Sequence, residues 1–340
     1  MRTGEKTKTK GPSLSAADYV EGVISGDRAK LARAITLIES RNAEHQKRAQ
    51  EMLIKLLPRT GKSLRIGISG LPGAGKSTFI DAFGTMLTGQ GHKVAVLAVD
   101  PTSSRTGGSI LGDKTRMARL SQDENAFIRP SPTGGTLGGV ARATREAILV
   151  CEAGDFDIIL VETVGVGQSE ITVSEMVDFF LVLMISGGGD ELQGIKKGVL
   201  EIADMIAITK ADGDNVNRAK LSATDYQHAL RIITPMNPVW TPPVVTVSAL
   251  ENKGLDKLWE KVELYRRSMK DNGEFETKRK AQQIRWMWSM IDDRLMSRLR
   301  ADDKVKKLAQ DMEKSIVAGK VTPALAADKI LEAFWSSLGG

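Results

Sequence analysis

Nine consecutive residues, Gly70-Leu71-Pro72-Gly73-Ala74-Gly75-Lys76-Ser77-Thr78, have the types and spacing to hold a polyphosphate. They satisfy Gly-x-x-x-x-Gly-Lys-Ser, in which glycines let successive backbone N–H groups face inward on the phosphates. Lys76 is expected to reach the β and γ phosphates, and Ser77 to hold Mg2+ through its hydroxyl. The run follows an alternating apolar stretch, Leu64 to Ser69, and precedes a helical pattern, Phe79 to Leu87. A strand before and a helix after are the context the motif requires, and the helix N-terminus adds partial positive charge. The predicted ligand is a nucleoside triphosphate with its magnesium ion.

Two later segments bear on which base that nucleotide carries. Thr209-Lys210-Ala211-Asp212 matches Asn-Lys-x-Asp at the lysine and the aspartate. A carboxylate at Asp212 can accept from the N1 and N2 donors of guanine, a pair adenine does not offer on that edge. Lys210 can lay its aliphatic stem over the base. Thr209 brings no amide. Ser248-Ala249-Leu250 follows the next apolar run and is expected to bring backbone N–H groups to the guanine O6. Two base-reading elements in order on successive strands favour GTP.

Acidic residues at strand ends complete the candidate site. Glu162 and Gly165 lie in Glu162-Thr163-Val164-Gly165, where an NTPase keeps a magnesium-side acid and a glycine facing the γ-phosphate. Asp100, at the end of another apolar run, points into the ligand crevice as a second metal-side acid, with Arg105 just beyond. Thr106 to Ser109 and Gly187 to Asp190 read as loops suited to sensing the γ-phosphate. Gln168 is the candidate for positioning water. No Ser-His-Asp or Cys-His arrangement stands out, so hydrolysis would rest on magnesium, Lys76 and positioning.

These positions require a particular scaffold. Val94 to Val99, Asp157 to Val161, Phe179 to Ile185, Met205 to Thr209 and Val244 to Val247 are short and almost continuously apolar. Strands buried on both faces belong to a mainly parallel sheet. Helical patterns at Leu137 to Cys151, Leu192 to Ile202, Asn217 to Ile232 and Leu255 to Tyr265 separate them. The fold class is therefore α/β, a doubly wound P-loop NTPase over residues 62–270. Residues 1–12 read as a disordered tail and 13–61 as an N-terminal helical segment. Residues 271–340 form a C-terminal helical arm whose apolar stripe, through Ile284, Trp288, Ile291 and Leu295, calls for another surface. A second copy of the chain is the favoured one.

Composition narrows the alternatives. The 340 residues carry 48 Lys+Arg against 42 Asp+Glu and 5% aromatics, a mixed surface without base-stacking platforms, so no nucleic acid is expected. One cysteine, Cys151, excludes an internal disulfide, and His45, His92 and His228 are scattered rather than clustered for a nitrogen-and-sulfur metal site. No apolar run approaches the roughly 20 residues of a membrane span, and the expected location is the cytoplasm.

The segments GLPGAGKST (70–78), VDPTSSRTGGSILGDKTRM (99–117), VETVGVGQSE (161–170), SGGGDELQGIKKG (186–198) and TKADGDN (209–215) together resemble the MeaB/ArgK family of P-loop GTPases. The resemblance implies a GTP-hydrolysing chaperone of an adenosylcobalamin-dependent acyl-CoA mutase, most often methylmalonyl-CoA mutase. It implies gated delivery of that cofactor from an adenosyltransferase, protection of the mutase, and a homodimer joined through the C-terminal arm. It also implies that Gly187 to Gly198 is a further switch facing the partner. Some relatives carry an older label as kinases of an arginine/ornithine transport system. A nickel metallochaperone GTPase is another alternative, against which the lack of a His- or Cys-rich tract counts. A nucleotide-dependent binding module with negligible turnover also stays open.

Overall fold

The computed structural model describes residues 14–99, 116–129, 137–163, 168–186, 197–233 and 239–338. Three helices come first: α1 (Ala16–Ile24), α2 (Arg28–Glu39) and α3 (Ala43–Leu56). Their starts are set locally. Ser15 and Asp18 form a reciprocal capping box, and the side chains of Asp27 and Asn42 accept from the first turns of α2 and α3.

The sheet strands are β1 (Leu64–Gly70), β2 (Val94–Val99), β3 (Ala126–Arg129), β4 (Ile158–Thr163), β5 (Phe179–Ile185), β6 (Met205–Thr209) and β7 (Val244–Thr246). Among the described residues they form one seven-stranded sheet in the order β3-β2-β4-β1-β5-β6-β7, and every pairing there is parallel. β3 is an addition to the sequence reading: four residues are too short for a periodic signal. β4 runs two residues past Val161, so Glu162 and Thr163 belong to the strand.

The intervening helices are α4 (Lys76–Gly89), α5 (Leu137–Ala153), α6 (Gln168–Ser174), α7 (Lys197–Glu201), α8 (Val216–Ile233) and α9 (Leu255–Asp271). One apolar core joins α1, α2, α3, α5, α6, α7 and α8 to one sheet face, through residues such as Leu31, Met52, Ile148, Val161, Val177 and Phe180. The N-terminal helices thus complete a layer of the sheet domain. The other face packs on α4 and α9 through Phe79, Phe83, Leu160, Leu181, Leu258 and Val262. Phe79 and Phe83 stack at 5.3 Å, and Phe83 meets Trp259 edge-on at 6.1 Å. Cys151 is fully buried in α5, which pushes its thiol far above the usual range.

The amino ends of β1, β5 and β6 meet a dense polar network. The Asp178 carboxylate accepts from Arg65 N at 2.8 Å and from Arg279 Nε and Nη2 at 2.7 and 2.6 Å. Arg279 also donates to the carbonyls of Gly61 and Ser63, each at 2.6 Å. Lys278 and Tyr265 donate to the Asp178 carbonyl at 2.6 and 2.9 Å, and Lys278 stands 3.4 Å from Asp204 Oδ2. Burial pushes the Asp204 carboxyl up, against the pull of Lys278.

A compact unit ends at Arg279, and a second begins at Lys280. Helix α10 (Glu274–Ala301) runs on into the second unit, which continues with α11 (Asp303–Val317) and α12 (Pro323–Leu338). Asp302 caps α11 and accepts from Ser337 Oγ at 2.7 Å, tying α12 back to it. Val305, Ala326 and Phe334 are buried within this unit, while Ile284, Trp288, Ile291 and Leu295 along α10 are exposed.

Candidate functional site

Helix α4 follows β1 onto one face of the sheet, and α6 follows β4 onto the other. Adjacent parallel strands whose chains leave on opposite faces open a crevice at their carboxyl ends, where α/β proteins bind ligands. Gly70 to Thr78, Glu162, Lys210 to Asp212 and Ser248 all belong to that end of the sheet.

The loop between β1 and α4 depends on its glycines. Gly70 has φ +155°, and a Cβ there would sit 2.3 Å from the Leu183 carbonyl oxygen. Gly75, with φ +80°, precedes the first turn of α4 in the left-handed region without a side-chain cap. The first α4 amides are therefore left to an anion. Ala74 is buried, whereas Pro72, Gly73 and Thr78 are exposed and Leu71 is half-buried.

Lys76 Nζ donates to the carbonyls of Gly70 at 2.9 Å and Leu71 at 3.3 Å, so it lies back along its own loop. Burial pushes its ammonium below the usual lysine range, against the opposing pull of Glu162 and Glu170. Glu170, buried on α6, was not anticipated from the sequence. Ser77 Oγ donates to Glu162 Oε1 at 3.3 Å. A hydroxyl and a carboxylate are hard oxygen donors of the kind magnesium takes, so the pair fits that ion.

At the far end of the crevice, β6 delivers Thr209, Lys210 and Asp212. Lys210 is exposed with φ +56°, and its carbonyl accepts from Asn215 Nδ2 at 2.7 Å. Asn215 Oδ1 in turn accepts from Ser186 Oγ at 2.6 Å. Ser248 Oγ donates to Asp212 Oδ2 at 2.5 Å and accepts from Glu251 N at 3.1 Å. Ser248 therefore orients the Asp212 carboxylate directly. Ala249 is half-buried and Leu250 is 80% exposed. Asn215 and Ser186 had no spacing signal of their own, because their roles exist only once β5 and β6 lie side by side.

Thr209 has a different task from an amide that reads a base. Its hydroxyl lies 2.8 Å from the Ala74 carbonyl and 3.0 Å from the Met184 carbonyl, and the residue is 5% exposed. Its single proton can serve one carbonyl at a time. Thr209 thus ties β6 and β5 to the phosphate loop.

Asp100, Arg105, Thr106 to Ser109, Gly165 and Gly187 to Asp190 lie outside the described residues, as does the side chain of Gln168. Among the described residues no group of three His, Cys, Asp or Glu could hold a metal ion, and no helix is long and apolar enough to cross a membrane.

Residues 31–304 match the family model for the methylmalonyl Co-A mutase-associated GTPase MeaB. A putative GTPase of Caulobacter vibrioides is 55% identical over 95% of this chain and 99% of its own length. The mitochondrial methylmalonic aciduria type A homolog of Mus musculus is 46% identical over 97% of this chain and 83% of its own. Among solved structures, a LAO/AO transport system kinase superposes with a TM-score of 0.77 at 35% identity, covering 96% of this chain and all of that one.

Proposed function

The chain belongs to the family of methylmalonyl Co-A mutase-associated GTPases, and on that premise we propose that it acts as a chaperone of an adenosylcobalamin-dependent methylmalonyl-CoA mutase. It assembles the mutase, gates loading of its cofactor from an adenosyltransferase, and protects it, with GTP hydrolysis to GDP and phosphate as the timer. The observation that carries the nucleotide part is the Asp212 carboxylate held at 2.5 Å by Ser248, three residues past the end of the strand that Thr209 ties to the phosphate loop. Base edge and phosphates are thereby addressed by one connected frame. Lys76 supplies positive charge to the β and γ phosphates, and the α4 amides supply donors. Mg2+ would be held by Ser77 and Glu162, with Asp100 as a further candidate, and would neutralise charge that develops on the phosphates.

The chain works as a homodimer through its second unit in this reading. The support is the α10 stripe, where Trp288 is 58% and Leu295 48% exposed at helical spacing, an apolar face that calls for a partner surface. The similar transport-system kinase gives the runner-up, phosphorylation of a transport protein. One experiment separates them. The chain is loaded with a non-hydrolysable GTP analogue, used as bait in native extract, and sized on a calibrated column. Recovery of a mutase with two copies of this chain is expected. A transport protein in its place would overturn the chaperone reading, and one copy per complex would remove the dimer.

A further inference from the structure

The crevice between β1 and β4 holds a second pair of side chains, on the sheet face opposite Glu162. Thr163 Oγ1 donates to Ser69 Oγ at 2.9 Å, and each residue is 1% exposed. Their neighbours on this face are apolar: Val161, Val173, Val177 and Phe180 belong to its core. A threonine and a serine here cost desolvation that valine and alanine would avoid, since a hydroxyl pair replaced by apolar groups of the same shape is close to neutral in stability. Their presence is better explained by geometry than by strength.

The geometry concerns where pairing stops. On the β5 side, β1 stays paired to its last residue, with Gly70 opposite Leu183. On the β4 side, the backbone ladder ends one pair earlier than Ser69, at Ile68 opposite Glu162. The Thr163–Ser69 bond continues it by one residue, at the point where both chains leave the sheet. Ser69 is the root of the phosphate loop, and Thr163 directly follows the metal-side acid. The contact on the other face, Ser77 to Glu162, is longer at 3.3 Å and only part-buried, so water competes with it. The dry hydroxyl pair is the firmer of the two.

We propose that Thr163 and Ser69 are positioning residues that hold Glu162 in register with Ser77, and so set how tightly the site takes a divalent cation. This inference rests on the reading of Ser77 and Glu162 as the magnesium side of the nucleotide site. Both hydroxyls are buried against each other, so both act through the adjoining backbone.

The test follows release of a fluorescent, non-hydrolysable GTP analogue from the full chain, in EDTA and across a Mg2+ titration. In Thr163→Val, the Mg2+ concentration that gives half-maximal retention rises about tenfold, the size of one lost neutral hydrogen bond, while release in EDTA is unchanged. Thr163→Ser restores the wild-type midpoint. Ser69→Ala shifts the midpoint in the same direction, which keeps the test open if Thr163→Val folds poorly. An unchanged midpoint in both Thr163→Val and Ser69→Ala overturns the proposal. Equal acceleration with and without Mg2+ also overturns it, because a merely structural role would act that way. Ser77→Ala run alongside separates the two levels. If it too leaves the midpoint unmoved, the reading of the site fails; if it alone moves the midpoint, only the hydroxyl pair is refuted.

Discussion

The two ends of the sheet are built from different chemistry. At the amino ends, charged groups answer one another completely: Asp178 takes both Arg279 and the Arg65 amide, while Lys278 lies between Tyr265 and Asp204. At the carboxyl ends, Ser77, Thr209, Ser248 and the Thr163–Ser69 pair hold loops by single hydroxyl bonds, and the α4 amides have no side-chain cap. One end spends its polar groups on itself. The other leaves the α4 amides without a side-chain cap and uses neutral bonds for alignment. On the proposed function, stability and nucleotide binding are expected to separate by position along the same strands.

Three substitutions bear on that separation. The largest effect is expected for Lys76→Ala, which removes the counter-charge of the β and γ phosphates. GTP turnover falls by about 100- to 1000-fold with the melting temperature little changed, as phosphate-release assays and calorimetry can establish. Normal turnover would end the assignment of the loop. Next is Asp178→Ala, which leaves Arg279 without its buried partner. It costs about 3 kcal/mol of unfolding free energy in denaturant titrations, while GTP affinity of the folded chain stays within about twofold. A strong loss of affinity at unchanged stability would erase the contrast between the ends. The smallest effect is expected for Thr209→Val, which leaves the Ala74 and Met184 carbonyls without the hydroxyl. Affinities for GTP and ITP fall together, by about tenfold. ITP lacks the N2 donor that Asp212 is proposed to read, so a changed GTP-to-ITP ratio would show that Thr209 reads the base after all.

The carboxyl end was legible in the sequence to a degree the amino end was not. Gly70 to Ser77 announce themselves because the phosphate loop is local, with every member within eight residues. Asp212 and Ser248 are each local to a strand end, so pattern and order mark them as candidates. The apolar runs likewise gave six strands, and β4 came out longer only because Glu162 and Thr163 are polar residues at its tip. Lys278 and Arg279, by contrast, meet Asp178 across a separation of 100 residues, in a stretch that read as the start of a helical arm. Nothing in their spacing points to a partner that far away. The same limit hid Ser69 and Thr163, 94 residues apart, and the edge strand β3, whose place depends on β2 already being there.

The central position of β1 has a consequence for how the chain comes into being. Leu64 pairs with Ile158 and Ile66 with Phe179, so both neighbours of β1 are made about ninety or more residues after it. At ribosomal speeds of roughly 5–20 residues per second, the strand that carries the phosphate loop waits some 5 to 20 seconds for its first partner. Through that interval its two edges and its isoleucines are open to other nascent chains. Helices α1 to α3 emerge earlier, yet the sheet face they cover does not exist until β4 and β5 arrive. Assembly of this domain is therefore late and concerted, and a pause or truncation before about residue 158 leaves β1 without either of its neighbours.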